Sequence, residues 1–202
     1  MIRRIRNGLL IGVAVLLLSA CSKTRSWEEE VLLNTGETIW VKRTAEYSYQ
    51  GGVGNPFDMA YRLTGSPTLQ FAYKNRKYQF HERIGVMVLA ISPEGVPVLV
   101  APASSGAWDA VNKYECTYPF YVQFVPDQSG KRWTWPPAIE PWLYGMPGNL
   151  FTDYGTPKNL NSRYTMKEKE NQSFLKDPQL GFAQRIDVNH TGDLCKQRRN
   201  SK

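Results

Sequence analysis

The residues able to do chemistry are few. Two histidines and three cysteines are spread over 202 residues, and no G-x-S-x-G elbow, phosphate-binding P-loop, C-x-x-C or H-E-x-x-H is present. Ser173-Phe-Leu-Lys176 fits S-x-x-K, in which a lysine amine activates a serine hydroxyl, but its partner motifs are missing. Ser104-Ser105 after Pro102 reads as turn rather than nucleophile. His81 falls on the polar side of an alternating strand and reads as a surface residue. Asp187-Val-Asn189-His-Thr191-Gly192-Asp193 begins like a calcium loop, with oxygen ligands at positions 1, 3 and 5 and Gly at 6. Its twelfth position is Arg198, which would repel the ion, so an Asx turn is the better account. Carboxylate pairs for a glycosidase could be drawn from Asp109, Glu115, Glu140 and Asp153, but no spacing among the 18 acids prefers a pair. The expectation is no catalytic residue, no metal and no cofactor.

Aromatic residues make the stronger candidate. Trp133 and Trp135 stand two apart on a strand and share a face. Trp142 and Tyr144 follow after Pro136, Pro137 and Pro141. Such a surface can stack on sugar rings or receive a peptide, with Lys131 and Arg132 nearby for anionic groups. The competing reading is that these rings pack the open end of a small barrel.

The elements that position these rings must come from one domain, because 202 residues suit one and hardly two. The composition is 42% hydrophobic, 21% charged and 12% aromatic, which excludes whole-chain disorder and low-complexity repeats. The formal charge is +7.

Much of that charge sits at the start. Arg3, Arg4 and Arg6 precede an apolar run, Gly8 to Leu18, of 11 residues. That is about half the ~20 residues a spanning helix needs. A basic start, a short apolar middle and small residues after it make an export signal. Leu18-Ser19-Ala20-Cys21 resembles the lipobox of bacterial lipoproteins, L-[AS]-[GA]-C, at every position. The resemblance implies cleavage after residue 20 and lipid on Cys21. With Ser22 rather than Asp next, it also implies the periplasmic face of the outer membrane. Several acyl chains on one cysteine make a permanent anchor, at ~0.8 kcal/mol per buried methylene. Losing residues 1–20 removes three arginines and lowers the formal charge from +7 to +4, so basicity gives no warrant for a nucleic-acid partner. Cys116 and Cys195 would then be the remaining thiols. In an oxidising compartment they suggest a disulfide closing a loop of about 80 residues, worth ~4 kcal/mol. The alternative is two separate free thiols.

Residues 21–26 are expected as a lipidated tether and residues 27–202 as a single β domain. Four hairpins are predicted. In the first, a loop at Thr35-Gly36 would set Glu29 opposite Lys42 and Glu28 opposite Arg43, making Glu28 to Glu30 a solvated, charge-paired face. In the second, a loop at Asn75-Arg76 would pair Tyr73 with Tyr78 and Phe71 with Phe80. One face would be aromatic and the other would carry Gln70, Gln79 and His81. The third, Gly85–Ile91 and Val96–Ala101, turns at Pro93-Glu94-Gly95. Both arms are apolar throughout, so it should lie between two layers, with Pro97 marking an edge or bulge. The fourth runs Phe120 to Val125, turns through Asp127 to Gly130 and returns as Arg132 to Trp135. Residues 106–115 could make a short helix, and 160–177 an exposed helix or long loop, with 160–180 mobile. The fold class is all-β, a single sandwich or small barrel of consecutive antiparallel hairpins with little helix.

The pattern W-x-E-E-V-x-L-x-x-G-x-x-I-x-V-x-R, from Trp27 to Arg43, resembles a group of short uncharacterised exported proteins of proteobacteria. The tract Pro119-Phe-Tyr-Val-Gln-Phe124 and the Arg132-Trp133 strand are similar to theirs as well. That resemblance implies a compartment and no mechanism. The expected partners are the membrane, through the lipid, and another envelope protein, with peptidoglycan as the alternative ligand and an envelope enzyme as the third reading.

Overall fold

A computed structural model describes residues 22–52, 55–103, 114, 119–151, 163–170 and 185–189. Nine strands among these form two open sheets. The first holds β1 (Ser22–Leu32), β2 (Thr38–Gly52), β3 (Asn55–Tyr73), β4 (Arg76–His81) and β9 (Arg163–Tyr164), in the order β4-β3-β2-β1-β9. The second holds β5 (Val88–Ile91), β6 (Pro97–Pro102), β7 (Tyr121–Pro126) and β8 (Trp133–Thr134), in chain order. Neither sheet closes, so the fold is a sandwich. Successive strands pair antiparallel, as expected; β9 departs from this by pairing with β1 in parallel. A short helix, α1 (Met166–Glu170), follows β9.

The main core lies between the sheets. Val31, Val41, Leu69, Phe71 and Phe80 from the first meet Leu89, Leu99, Val122 and Phe124 from the second. A second cluster covers the far side of β5–β7, where Val88, Val98, Val100 and Tyr121 pack against Ile139, Leu143 and Ile186. Strands β5 and β6 are therefore buried on both faces, which is what their unbroken apolar runs require. Pro97 is neither edge nor bulge. It opens β6, an interior strand, where a missing N–H is tolerated.

Two turns differ from expectation. The second hairpin turns at Lys74-Asn75, with φ of 45° and 62°, so Phe71 faces Tyr78 and Leu69 faces Phe80. A two-residue hairpin loop favours φ > 0 at both positions, and Asn accepts it readily. The difference is two positions in pairing, an even number, so the aromatic face still points inward and Gln70, Gln79 and His81 are exposed.

The first hairpin has a larger consequence. Its loop is longer than two residues. The Leu33 N–H donates to the Glu37 carbonyl and the Gly36 N–H to the Leu33 carbonyl, with Gly36 at φ +86°. Glu28 then sits opposite Lys42 and Glu29 opposite Val41. A one-residue slip exchanges faces, and Glu29, expected in solvent, is fully buried. Its carboxylate meets Arg43 at 3.2 Å and Lys169 of α1 at 2.8 Å, and accepts the Phe151 N–H at 3.0 Å. Arg43 also donates to the Phe151 carbonyl, and Lys169 to the carbonyls of Glu30 and Asn149. The segment expected as an exposed helix or mobile loop is thus pinned over residues 163–170. Thr165 caps α1 reciprocally with Glu168, a T-x-x-E capping box.

Side chains close both flanks of the sandwich. The amide of Asn34 both donates to and accepts from the Ile91 backbone, and that of Asn149 does the same with Leu89, so the outer edge of β5 is satisfied. On β4, the Gln79 N–H donates to the Gly130 carbonyl and its carbonyl accepts the Trp133 indole N–H. Gly130 is required twice over, by φ +71° and because a Cβ would stand 2.7 Å from the Lys77 carbonyl oxygen. Ser22–Ser26, expected as tether, already belong to β1 and pair with Thr44–Ser48. Beyond the sandwich, β2 and β3 continue as a two-stranded ribbon as far as the Gly52–Asn55 pair.

Two expected outcomes test this account. Glu29→Ala leaves two buried cations without their anion and should cost about 3–5 kcal/mol. Glu28→Ala, removing an exposed ion pair with Arg163, should cost less than ~1 kcal/mol; urea unfolding of both variants compares them. Burial raises the phenol pKa of Tyr114, with Glu82 adding to it, and also that of Tyr121, where the Asp187 N–H opposes the rise. Each phenol holds its proton more tightly folded than unfolded. Their contribution is therefore complete below the unfolded tyrosine value of about 10 and is lost as pH rises through the folded values. The urea midpoint should owe no change to these groups at neutral pH and should fall once unfolded tyrosine ionises.

Candidate functional site

The described residues hold no group of three or more His, Cys, Asp or Glu side chains able to bind a metal ion. The Glu29–Arg43–Lys169 trio is sealed, with side chains 0%, 2% and 4% exposed, and its partners are backbone groups and one another. It is structural. His81 is exposed and shares a hydrogen bond with Thr68 at 3.1 Å. Asp187 accepts the Asn189 N–H at 2.9 Å, the Asx turn expected there. Cys21, Cys116, Cys195, Ser104, Ser105, Asp109, Glu115, Asp153, Ser173 and Lys176 lie outside the described residues, as do residues 106–113. Glu140 is exposed and accepts the Trp142 indole N–H.

The four predicted aromatic residues do not form one surface. Trp133 is half-buried against the main core, edge-on to Phe80 at 5.5 Å and tilted against Tyr78 at 6.4 Å. Trp135 is 39% exposed and packs edge-on to Tyr114 and Phe124. Trp142 packs against the second cluster, on the other side of the second sheet. Tyr144, 36% exposed, ends the short turn of 3-10 helix Pro141–Leu143 that carries Trp142. The alternation of β8 and the prolines after it send the two groups to different sides.

The polar side chains that converge are elsewhere, on the outer face of the five-stranded sheet. Arg163, Glu28, Lys42, Gln70 and Gln79 stand in register as a row across β9, β1, β2, β3 and β4. With Trp40, Lys77 and Lys131 beside it, most of this row lines an open concavity of about 610 Å³. Arg163 lies over the Trp40 ring at 3.8 Å and pairs with Glu28 at 3.5 Å. The stacked guanidinium holds the indole at the rim, and Lys42, Lys77 and Lys131 are the exposed lysines of the concavity. The site offers one ring, two amides, one carboxylate already paired with Arg163 and an excess of positive charge. It can bind an anionic or hydroxylated ligand. A smaller concavity of about 300 Å³ lies where the β3–β4, β5–β6 and β7–β8 turns meet, lined by Tyr73, Lys74, Arg76 and Asp127 among others.

Sequence reasoning missed this row because each member comes from a different strand. The signal was present in part: Trp40 and Lys42, then Gln70, then Lys77 and Gln79 are the outward positions of two alternating hairpins. Register alone aligns them.

Trp133 and Trp40 should behave differently when truncated. Trp133→Ala removes core packing and a hydrogen bond, so a loss of about 3 kcal/mol is expected. Trp40→Ala should cost clearly less; thermal unfolding of the two variants measures the gap.

No protein-family model, curated protein or solved structure matches the chain.

Proposed function

We propose that this protein is an envelope lipoprotein, lipidated at Cys21 on the periplasmic face of the outer membrane, that acts as a non-catalytic protein-binding or assembly module. The observation supporting the binding role is the contrast between its strand edges. Asn34, Asn149, Gly130 and Trp133 satisfy the flanks of the sandwich. Among the described residues, β4 joins β3 only from Thr68 onward and β9 joins β1 only at Glu28 and Glu29. Among the described residues, no strand pairs with the outer edge of residues 55–67 of β3 or of Ser22–Trp27 of β1. Open edges accept an added strand through main-chain hydrogen bonds, and a partner chain is the occupant that chemistry suits best.

A second reading, a glycan-binding module, is supported by the Trp40 concavity rather than by the four aromatic residues expected from the sequence. An indole rim suits a sugar ring, and the lysines suit the carboxylates of peptidoglycan stem peptides.

Pull-down of the lipidated protein from reversibly cross-linked cells, with peptidoglycan digested in half the sample, separates the two. One protein partner near stoichiometric yield in both halves is the expected result. Recovery that depends on intact peptidoglycan would overturn it in favour of the glycan module. In that case muropeptides should quench tryptophan fluorescence, and Trp40→Ala should abolish the quenching with the fold intact.

A further inference from the structure

Three ammonium groups line the concavity on the outer face of the five-stranded sheet, and each comes from a different element. Lys42 lies on β2, Lys77 on β4 and Lys131 on the turn between β7 and β8. That turn belongs to the second sheet. It reaches this face because the Gln79 N–H donates to the Gly130 carbonyl at 2.9 Å and the Trp133 indole N–H to the Gln79 carbonyl at 2.7 Å. Lys131 is thus held beside β4 by contacts that do not involve its own charge. Among the described residues, no ion pair joins Lys42, Lys77 or Lys131 to an acid. Glu28, the acid that lines the concavity, is paired with Arg163. Like charges gathered in this way repel, and a bound anion relieves that repulsion.

One small side chain gives the concavity its floor. Ala72 is exposed and stands opposite Lys77. Its other neighbour is Trp40, one residue before the Val41 that faces Phe71. A methyl group therefore separates an indole wall from an ammonium wall, and the directly opposed amides of Gln70 and Gln79 continue the floor. The charge decides what kind of anion suits it. With Glu28 paired to Arg163, the three lysines leave an excess of three positive charges. A carboxylate would bring one negative charge, whereas a phosphate monoester brings about 1.5–2 and three acceptor oxygens. Lysine meets phosphate as a point charge, while carboxylate recognition favours the planar arginine fork. Among the described residues no arginine lines the concavity, and Arg163 beside it is already stacked on Trp40. The indole and the amides suit a hydroxylated ring.

We propose that the concavity binds a phosphorylated sugar, its phosphate met by Lys42, Lys77 and Lys131 and its ring laid over Ala72 against Trp40. This rests on the second reading above, in which the concavity takes a glycan, and names phosphate rather than carboxylate as the anion. It leaves the strand edge, a different surface, open to a protein partner.

The test is calorimetric titration of the whole protein, purified as the cell makes it, with glucose 6-phosphate, glucose, inorganic phosphate and muropeptides in turn. Glucose 6-phosphate should bind several-fold more tightly than glucose or inorganic phosphate, and added salt should weaken it. Lys42→Gln and Lys77→Gln should each weaken it several-fold. Lys167→Gln, which removes the same charge from the exposed side of α1, should not. Ala72→Tyr fills the floor with every lysine in place and should abolish binding, with an unchanged urea midpoint showing that it folds. Binding that survives Ala72→Tyr, or equal affinity for inorganic phosphate, would overturn the proposal. Binding of muropeptides without glucose 6-phosphate would overturn it and keep the glycan reading; binding of neither would overturn both.

Discussion

Glu29 is buried between two cations, and much of the molecule is arranged around that fact. Removing charges from water costs several kcal/mol for each ion, and mutual attraction offsets this only where the remaining donors and acceptors are also met. Here they come from far apart in the chain: Arg43 on the next strand, Lys169 on α1, and the backbones of Glu30, Asn149 and Phe151. A buried carboxylate with these partners tolerates few arrangements. It therefore sets the β1–β2 register, seats residues 149–151 and docks α1 at once. Its contribution is to specify one packing more than to stabilise it, since apolar residues in its place could stabilise as well.

The same economy of polar groups governs the flanks. Two asparagine side chains copy the pairing of a missing strand beside β5, and a glycine carbonyl and an indole N–H do so beside β4. These closures satisfy the β4 and β5 edges of the open sandwich. The ribbon has no such closure among the described residues. The proposed binding role follows that difference, with main-chain pairing at the open edge.

The outer face of the first sheet is separate from that edge. Its row from Arg163 to Gln79 is polar in every member, and the one large ring, Trp40, is held at the rim by an arginine stacked on it. Such a surface is suited to weak, charge-dependent binding, because exposed ammonium groups contribute little when screened by salt.

Short-range pattern determined a good part of this protein. The alternation at Leu69, Phe71, Tyr78 and Phe80 marked an inward aromatic face, the apolar runs at 85–101 marked strands buried on both sides, and Gly and Pro punctuation marked the hairpins. These are properties of a strand and its immediate turn, so they survive an even-numbered error in the loop. The first hairpin shows the limit. Its loop length decides whether Glu28 or Glu29 faces the core, and both loops are compatible with Asn34-Thr35-Gly36. Only the packed structure chooses, because only there do Arg43 and Lys169 meet the buried carboxylate. The concavity at Trp40 and the division of Trp133 from Trp142 were decided at that same level. Five strands contribute to the polar row and three segments to the ion cluster, and a sequence records the members of such groups without recording which of them meet.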